Sequence, residues 1–586
     1  MQRATTRARA KARRDATAKA ALRKQRADRW LVAAATLLTL ALVASFWFVT
    51  YVPAALGWSA QVLLLCLVVA AGAGRALLGQ SVRAEETGGE SEARWKRALL
   101  TWPVVALAAI LPYLHSLNVG FLSDDFGLYY GASHATSAAH ALSANALPGF
   151  LRPVAILLWW AGAKMWGGAP MGYHAANLLL HAGNAVLVYL LGKRWIGSSY
   201  AGFLAGMLFA LHPLHVEPVV WICCNADLLC TFFCLLSLLG VEVALTGATT
   251  AWRRAAALAG SSVAFALALM SKEAALALPG VVFILLMVRG EVRRWQRTAA
   301  VMAPYVLLVV GYLAWRLLTL GSLGGYRVHL NLWNTVFPSA PLRHFAAFLF
   351  PVNRMLVATL TGPWLLYAMA LVMVIGLHWW VRGLVWLPTK RLALWAGFLL
   401  VMAVPVWALP AATADLQHSR FAYLPTIGLA WLFGDLCTGR GATWRRSGAV
   451  ALTALLVAGS LTAWYVVPWR VAHAKAEQVI EAGTGLLQQL EREQPSAVLY
   501  VQGLSGEYRG AQVMTNCLPQ AVRLRLGRPA ALRVVSTGGD VTPEVFALST
   551  LMPNEYLAAW QDESGSFTLL RRGGGGKRPP SQGPSP

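Results

Sequence analysis

The chain has 586 residues, of which 57% are hydrophobic and only 13% are charged. Soluble proteins carry about 25% charged residues, so this composition excludes an ordinary soluble globular protein. The formal net charge of +25 would favour nucleic-acid binding in a soluble protein. Here Lys and Arg stand mostly in short loops between apolar runs, as in membrane proteins. No basic face interleaved with aromatic residues occurs, and we predict no nucleic-acid partner.

The N-terminal part is predicted to be a basic cytoplasmic tail followed by membrane helices. Residues 1–29 are rich in Ala, Lys and Arg, a composition that favours contact with anionic lipid. The basic region is too long for a signal peptide and the next apolar run reaches spanning length, so we predict an uncleaved anchor. Residues 30–117 then hold three predicted spans, at about 30–50, 57–77 and 98–117.

With the N-terminus inside, the third span ends outside. Residues 118–171 therefore form the first large extracytoplasmic loop, and its Trp-rich part predicts an interfacial helix. Residues 172–470 form a predicted transmembrane core. Its apolar runs lie at about 172–192, 199–216, 226–246, 253–271, 274–288, 298–320, 362–381, 392–410, 422–437 and 447–467. The total is about thirteen spans.

The distribution of charge supports this topology. Five basic loops fall on the inner side: 193–194, 253–254, 289–297, 390–391 and 440–446. The polar clusters fall outside: 124–125, 212–217, 225–227, 271–273, 326–329 and 415–420. A transporter should instead show polar or broken helices near mid-membrane in related halves. Clustering on one side favours an enzyme that works at the outer interface.

The composition changes after residue 470. An amphipathic helical stretch is followed by short strand patterns at 498–502 and 532–536, with Gly-rich turns between them. Residues 471–572 are therefore predicted to form a small extracytoplasmic α/β domain. Residues 573–586 are rich in Gly, Pro and Ser and are predicted to be a disordered tail.

Four of the seven cysteines lie between positions 223 and 234. Cys230 and Cys234 fall in an apolar helix, where Cys acts as a small buried hydrophobe. We therefore predict neither a zinc site nor a disulfide framework.

The adjacent carboxylates Asp124 and Asp125 are the first candidates for chemistry. Neighbouring carboxylates raise one another's pKa, and either could act as a general base or bind a cation. A solvated pair in a loop is the alternative interpretation.

A second candidate cluster, His212, His215 and Glu217, stands where an apolar run ends. Two His three positions apart would share a helix face, which suits a divalent metal. Pro213 disfavours a regular helix, however, and the HExxH pattern is absent. Histidines satisfied by hydrogen bonds are the alternative, with Glu217 orienting one of them or binding a sugar hydroxyl. No cofactor is predicted to be required, and a divalent metal stays open.

Two cationic candidates follow. Lys272 could close a hairpin by pairing with Glu273, or it could meet an anionic group at the membrane surface. Arg420 could extend its charge to the interface, or it could bind phosphate, whose geometry a guanidinium matches. The sequence contains no GxxxxGK[ST] and no GxGxxG after a strand, so no nucleotide cradle is predicted. A donor carried on a lipid needs none.

The ordered motifs resemble the GT-C class of membrane glycosyltransferases. They are most similar to the transmembrane O-mannosyltransferase branch that often carries tetratricopeptide repeats. The matching stretches are SDDFGLYY, the step at 151–153, GYHAANLLLHAGNAVLVYLL, FALHPLHVEPVVWICCNADLL, ALMSKEAALALP and SRFAYLPTIGLA. Two features depart from the pattern: Cys224-Asn225 replaces the usual Gly-Arg, and no 34-residue repeat follows position 470. The stretch EYRGAQVMTNCLPQAVRLRLG instead resembles a tail of bacterial relatives.

This resemblance implies a polytopic α-helical, GT-C-like fold. It also implies transfer of a sugar from a polyprenyl-phosphate donor to a hydroxyl acceptor in a protein, glycan or lipid, with inversion, on the extracytoplasmic face. Asp124 or Asp125 would deprotonate the acceptor. Lys272 and Arg420, with Arg152 as a further candidate, would stabilise the leaving phosphate.

The remaining residues are assigned to the sugar pocket or to helix packing. His212, His215, Glu217 and Asp227 would shape the pocket, with Glu273 also near the substrate. The residues Tyr173, His174, Asn177 and His181 share one helix, where contacts between helices are the alternative to substrate binding.

Two other functions stay open. A transporter or flippase of lipid-linked glycans would need essential charges at mid-membrane. A non-catalytic membrane scaffold would tolerate alanine at Asp124, Lys272 and Arg420. The resemblance also implies a multi-pass protein of a bacterial inner membrane with its active site outside.

Overall fold

The computed structural model describes residues 101–143, 149–246, 250–322, 347–348, 351–356, 388–406, 413, 415–438, 444–504, 506–515, 517–534 and 553–572. Several predictions concern positions outside these residues: the basic tail 1–29, the spans at 30–50, 57–77 and 362–381, the loop 326–329 and the tail 573–586.

The described part of the chain is mainly helical. Its α-helices are α1 (Asp124–His134), α2 (Ala138–Ser143), α3 (Pro153–Trp166), α4 (Pro170–Ile196), α5 (Ser199–Leu211), α6 (Val216–Val220), α7 (Asn225–Leu245), α8 (Ala251–Ser271), α9 (Leu278–Arg289), α10 (Trp295–Leu320), α11 (Thr389–Ala403), α12 (Thr426–Leu436), α13 (Trp444–Tyr465), α14 (Val467–Glu493) and α15 (Leu518–Leu526). Short 3₁₀ helices span Leu111–Asn118, Pro213–His215, Ile222–Cys224, Glu273–Ala277, Glu291–Arg293, Val404–Val406 and Ser419–Ala422.

Several of these helices are suited to a membrane. Among the described residues, five helical stretches are long and apolar enough to cross it: Pro170–Ile196, Ile222–Leu245, Ala251–Ser271, Trp295–Leu320 and Ala451–Glu493. A membrane core takes about 20 helical residues, so the chain is a multi-pass membrane protein. The predicted spans 274–288 and 422–437 correspond to α9 and α12, which have only 12 and 11 residues. The number of spans and their orientation stay predictions.

The predicted span 199–216 differs from the structure at its end. Helix α5 ends at Leu211, and the chain continues through Pro213–His215 into Pro218-containing α6, at a bend of 49°. Proline cannot donate a backbone hydrogen bond and clashes with the preceding turn, so Pro213 ends the regular helix. The His212 ring accepts from the Leu214 backbone N–H at 3.3 Å and so caps the new turn.

Close packing joins the helices that hold this bend. Gly434 of α12 faces the carbonyl of Ala201 in α5, and an added Cβ would collide with it. Small residues allow helices in a membrane protein to approach closely. This contact joins the end of α12 to the start of α5, while the start of α12 meets the chain beyond the break through Thr426 Oγ1, which lies 2.8 Å from His215 Nε2.

The C-terminal region, residues 471–572, carries the strands. They are β1 (Val498–Gln502), β2 (Glu507–Tyr508), β3 (Ala511–Gln512), β4 (Leu532–Val534), β5 (Glu555–Gln561) and β6 (Ser566–Arg572). One sheet has the order β4-β1-β5-β6, in which β6 alone is antiparallel, while β2 and β3 form a separate hairpin. Helix α14 packs against α15, β6 and this hairpin. Its extracytoplasmic location stays a prediction.

Candidate active site

The two first-loop carboxylates lie in the first turn of α1, but their environments differ. Asp125 is only 1% exposed. Its Oδ2 accepts from the Leu122 N–H at 3.0 Å and its Oδ1 from the Cys223 N–H at 2.8 Å. Burial raises the pKa of the Asp125 carboxyl well above its usual value, while the two N–H donors oppose that shift. Asp124 is partly exposed. Asp125 therefore ties the first loop to residues 221–225, and Asp124 is the more accessible carboxylate.

Glu217 and Arg420 form a buried ion pair. Glu217 is 2% exposed, and its Oε1 accepts from Arg420 Nη1. Its Oε2 accepts from the Arg420 backbone N–H at 2.9 Å and from Ser419 Oγ at 3.3 Å. The guanidinium also lies over the rings of Phe421 and Trp221, at 4.7 and 5.3 Å from their centroids. These contacts hold Arg420 in one orientation.

Asp227 and Lys272 form a second buried pair. Lys272 is 3% exposed, and its Nζ donates to both Asp227 oxygens, at 2.6 and 2.7 Å. The predicted hairpin-closing pair between Lys272 and Glu273 is therefore not the main contact of either residue: Lys272 binds Asp227, and Glu273 binds Arg152.

Phe421 joins the two pairs. The Lys272 Nζ lies 5.4 Å from the centroid of its ring, and the Arg420 guanidinium lies 4.7 Å from the same centroid. A cation over an aromatic face is attracted to the ring. Two cations from segments about 150 residues apart are thereby brought to one aromatic side chain at the ends of apolar helices.

A third cluster joins Arg152, Glu273 and Arg316. Arg152 binds Glu273 with two hydrogen bonds, Nη2 to Oε1 at 2.6 Å and Nε to Oε2 at 3.2 Å. Arg316 of α10 lies 3.8 Å from Oε2. Burial would raise the pKa of Glu273, but the Arg152 charge and hydrogen bonds outweigh it and lower that pKa to about 2.

This shift gives a pH-dependent contribution to stability. The folded-state pKa of Glu273 lies below the ordinary value of 4.5, so the stabilisation is present above pH 4.5 and is lost as the pH falls towards 2. We expect the melting temperature of the wild type to exceed that of Glu273→Gln at pH 7, and the difference to shrink through this window.

The measurement is thermal unfolding of both proteins in detergent from pH 7 to 2.5. Glu477→Gln is the matched control, because Glu477 pairs with Arg525 at the surface. A difference in melting temperature between the wild type and Glu273→Gln that stays constant from pH 7 to 2.5 would contradict the lowered pKa of Glu273.

The predicted pocket histidines support the broken helix. His212 Nε2 donates to the Phe348 carbonyl at 3.2 Å, while its Nδ1 makes the cap at Leu214. His215 Nδ1 donates to the Phe209 carbonyl at 2.8 Å, and its Nε2 lies 2.8 Å from Thr426 Oγ1. All four ring nitrogens thus lie within hydrogen-bonding distance of a protein atom. Within the described residues, no group of three or more His, Cys, Asp or Glu side chains could hold a metal ion.

The polar residues of α4 make contacts between helices. His174 Nε2 donates to the Val119 carbonyl at 2.9 Å. Asn177 Nδ2 lies 3.4–3.5 Å from the carbonyls of Val219, Trp221 and Ile222. His181 contacts the Tyr423 hydroxyl at 2.8 Å. His174 and Asn177 thus join α4 to backbone carbonyls of the first loop and of residues 219–222, and His181 joins it to the Tyr423 side chain. The predicted contact of His174 with substrate stays a prediction.

Comparison with known proteins finds relatives that are named protein O-mannosyl-transferases. Human protein O-mannosyl-transferase TMTC4 is 37% identical over 113 residues, which is 17% of this chain and 15% of that protein. Drosophila melanogaster protein O-mannosyl-transferase Tmtc1 is 33% identical over 135 residues, 21% of this chain and 16% of that protein. The chain resembles protein O-mannosyl-transferases. It matches only about a sixth of the length of these relatives, and no family model matches it.

A solved structure is also similar in outline. ArnT from Cupriavidus metallidurans, bound to undecaprenyl phosphate, aligns with 80% of this chain and 93% of its own at a TM-score of 0.43 and 14% identity. The resemblance to O-mannosyl-transferases is one of sequence.

The structure places most of the candidate residues that this resemblance selects in three ion-paired clusters and in the broken helix beside them. It also shows further residues in contact with these clusters. The added residues are Trp221, Arg316 and Phe421. Arg316 could have been found, because an ionisable residue inside an apolar helix is a functional hypothesis by default. Phe421 and Trp221 carry no comparable signal in a sequence with 25 Trp and 20 Phe.

Proposed function

We propose that the chain is a GT-C-type glycosyltransferase that transfers a sugar from a polyprenyl-phosphate donor to a hydroxyl acceptor on the extracytoplasmic face of a bacterial inner membrane. The observation that supports this proposal most is that Lys272 and Arg420 lie near the same Phe421 ring. Each of the two cations is bound by a buried carboxylate. The relatives are named protein O-mannosyl-transferases, which supports transfer of a mannosyl group to oxygen.

Lys272 and Arg420 can stabilise the lipid phosphate, which is the leaving group of the proposed reaction. When the bond between the anomeric carbon and the phosphate oxygen breaks, the lipid phosphate gains negative charge. Preorganised cations in a site that excludes water stabilise such charge strongly. Arg420 carries five N–H donors in a fork that matches phosphate oxygens, and Glu217 holds that fork in place. Lys272 adds a second charge, 5.4 Å from the centroid of the same Phe421 ring.

Asp124 is the better placed of the two carboxylates to act as the general base. The acceptor hydroxyl attacks the anomeric carbon from the side opposite the phosphate, its proton passes to a carboxylate, and the product has inverted configuration. Asp125 uses both oxygens on backbone N–H groups, whereas Asp124 is partly exposed one position away. Asp125 also connects Asp124 to the cations, because its partner Cys223 lies four residues before Asp227.

The test is a donor comparison with the purified full-length chain in lipid nanodiscs. Polyprenyl-phosphate mannose, polyprenyl-phosphate glucose and the matching nucleotide sugars are offered with a panel of hydroxyl acceptors. We expect transfer from a polyprenyl-phosphate sugar and none from a nucleotide sugar. Transfer from the nucleotide sugar alone, or movement of an intact lipid-linked glycan across the bilayer without transfer, would overturn the proposal. The second outcome would favour a flippase.

A further inference from the structure

The C-terminal hairpin, which consists of residues 507–515 with β2 and β3 and of Cys517, contacts both halves of the candidate site. On one side, Thr515 Oγ1 is hydrogen-bonded to Ser123 Oγ, in the residue that precedes Asp124. Cys517 Sγ packs against Gly127, where an added Cβ would lie 2.6 Å from the sulfur. The hairpin therefore holds the first turn of α1 at both of its ends.

The backbone at Ser123 shows why such support is needed. Ser123 has φ +45°, in the region that non-glycine residues rarely adopt because the Cβ is crowded. It is fully buried. A residue in this conformation persists when its surroundings determine it. The hydrogen bond with Thr515 is part of those surroundings, and it lies beside the proposed base.

On the other side, the hairpin contacts the segment that leads to Arg420. Gln417 Nε2 donates to Glu507 of β2 and, at 3.1 Å, to Asp415 Oδ2. Asn353 Nδ2 donates to the carbonyls of Asp415 and Arg509, at 2.8 and 3.1 Å. Residues 415–417 are thereby fixed to the hairpin, three positions before the arginine.

One chain of hydrogen bonds joins the two sides through the hairpin. Thr515 Oγ1 donates to Gln512 Oε1 at 3.4 Å, and Gln512 Nε2 donates to Glu507 Oε1 at 3.4 Å. Each group in this chain has a compatible role. Because the Thr515 hydroxyl donates to Gln512, it accepts from Ser123, and at the other end of the chain the Glu507 carboxylate accepts from Gln417. Gln512 is only 4% exposed, so water does not compete for its amide group, which keeps both of these hydrogen bonds.

We propose that Thr515, Gln512 and Glu507 are positioning residues that set Asp124 relative to Arg420, making the C-terminal hairpin a structural part of the active site. This inference rests on the proposed function. The hairpin supplies none of the proposed reacting groups. It fixes the distance between the proposed base and the proposed phosphate ligand, which arise from segments almost 300 residues apart. Rates of oriented reactions fall steeply when such a distance changes by about 1 Å.

The experiment compares Thr515→Val, Thr515→Ser and Thr484→Val in the full-length chain. Valine removes the hydroxyl at nearly constant volume, and serine keeps it. Thr484 bonds to the Ile480 carbonyl within α14, so Thr484→Val is a matched control away from the site. We expect Thr515→Val to lower kcat about tenfold or more, with the donor KM within about twofold of the wild type. Thr515→Ser should restore kcat, and Thr484→Val should leave it unchanged.

A double-mutant cycle completes the test. Ser123→Ala should lower kcat as Thr515→Val does, and the double variant should be no worse than either single variant, because both remove one bond. A wild-type kcat for Thr515→Val, in a preparation whose wild type transfers sugar, would overturn the inference and leave the proposed function standing. A wild type that transfers no sugar from any polyprenyl-phosphate donor counts against the proposed function itself. A loss of kcat that Thr515→Ser does not restore would also overturn the positioning role.

Discussion

Asp124→Asn is expected to reduce the rate of sugar transfer by about 10²–10⁴-fold, the usual contribution of a positioned general base. Asparagine is nearly isosteric but cannot take the acceptor's proton, so donor binding and the melting temperature should stay close to those of the wild type. The measurement is kcat and the donor KM of the purified variant in nanodiscs. An unchanged kcat would show that Asp124 is not the base.

Asp125→Asn is the matched comparison, and we expect it to lower thermal stability instead of the catalytic rate alone. Both Asp125 oxygens accept from backbone N–H groups, and an amide presents an NH₂ group to one of them. A buried donor left without an acceptor costs about 1–3 kcal/mol, so this variant should lose thermal stability. A loss of activity at full stability would make Asp125 the stronger candidate for the base.

Lys272→Met is expected to destabilise the protein by about 3–5 kcal/mol, because it leaves the Asp227 carboxylate buried without the ammonium that binds both its oxygens. Replacing both partners, as in Lys272→Met with Asp227→Leu, should restore most of this stability. Buried pairs replaced by apolar side chains of similar volume are often neutral or stabilising. Transfer activity should not return, because the proposed phosphate ligand is still missing.

Arg525→Met is the control for this pair. Arg525 and Glu477 lie at the surface, with side chains 47% and 41% exposed, and exposed pairs contribute about 0–1 kcal/mol. Unfolding and transfer are measured on the same preparations. A double variant at positions 227 and 272 that is as active as the wild type would reduce the pair to a structural role.

Much of the helical architecture follows from the sequence because apolar runs and basic loops report directly on membrane helices. Helices α4, α7, α8 and α10 lie close to their predicted spans. The break after α5 is harder to place. Pro213 signals an interruption, but the residues beyond the 49° bend accept hydrogen bonds from Asn177, whose place on α4 does not identify its partners.

The site is predicted less completely, for a physical reason. Ionisable residues at membrane boundaries stand out in a sequence, and this signal selects Glu217, Asp227, Lys272 and Arg420 as candidates. Their pairing depends on contacts between segments far apart in the chain. Lys272 stands next to Glu273 in sequence but binds Asp227. Thr515 gives no sequence signal, since a threonine near a hairpin is ordinary, and only the contact with Ser123 shows that it reaches the site.

Release of the lipid carrier is the direct consequence of the proposed sugar transfer, and it can be measured. Purified protein in nanodiscs is given polyprenyl-phosphate mannose and an acceptor found in the donor comparison, and free polyprenyl phosphate and glycosylated acceptor are quantified together by mass spectrometry. We expect the wild type to form both in equal amounts, Asp124→Asn to form neither at an appreciable rate, and Thr484→Val to match the wild type. Glycosylated product without release of polyprenyl phosphate, or equal release by Asp124→Asn and the wild type, would contradict the proposed sugar transfer.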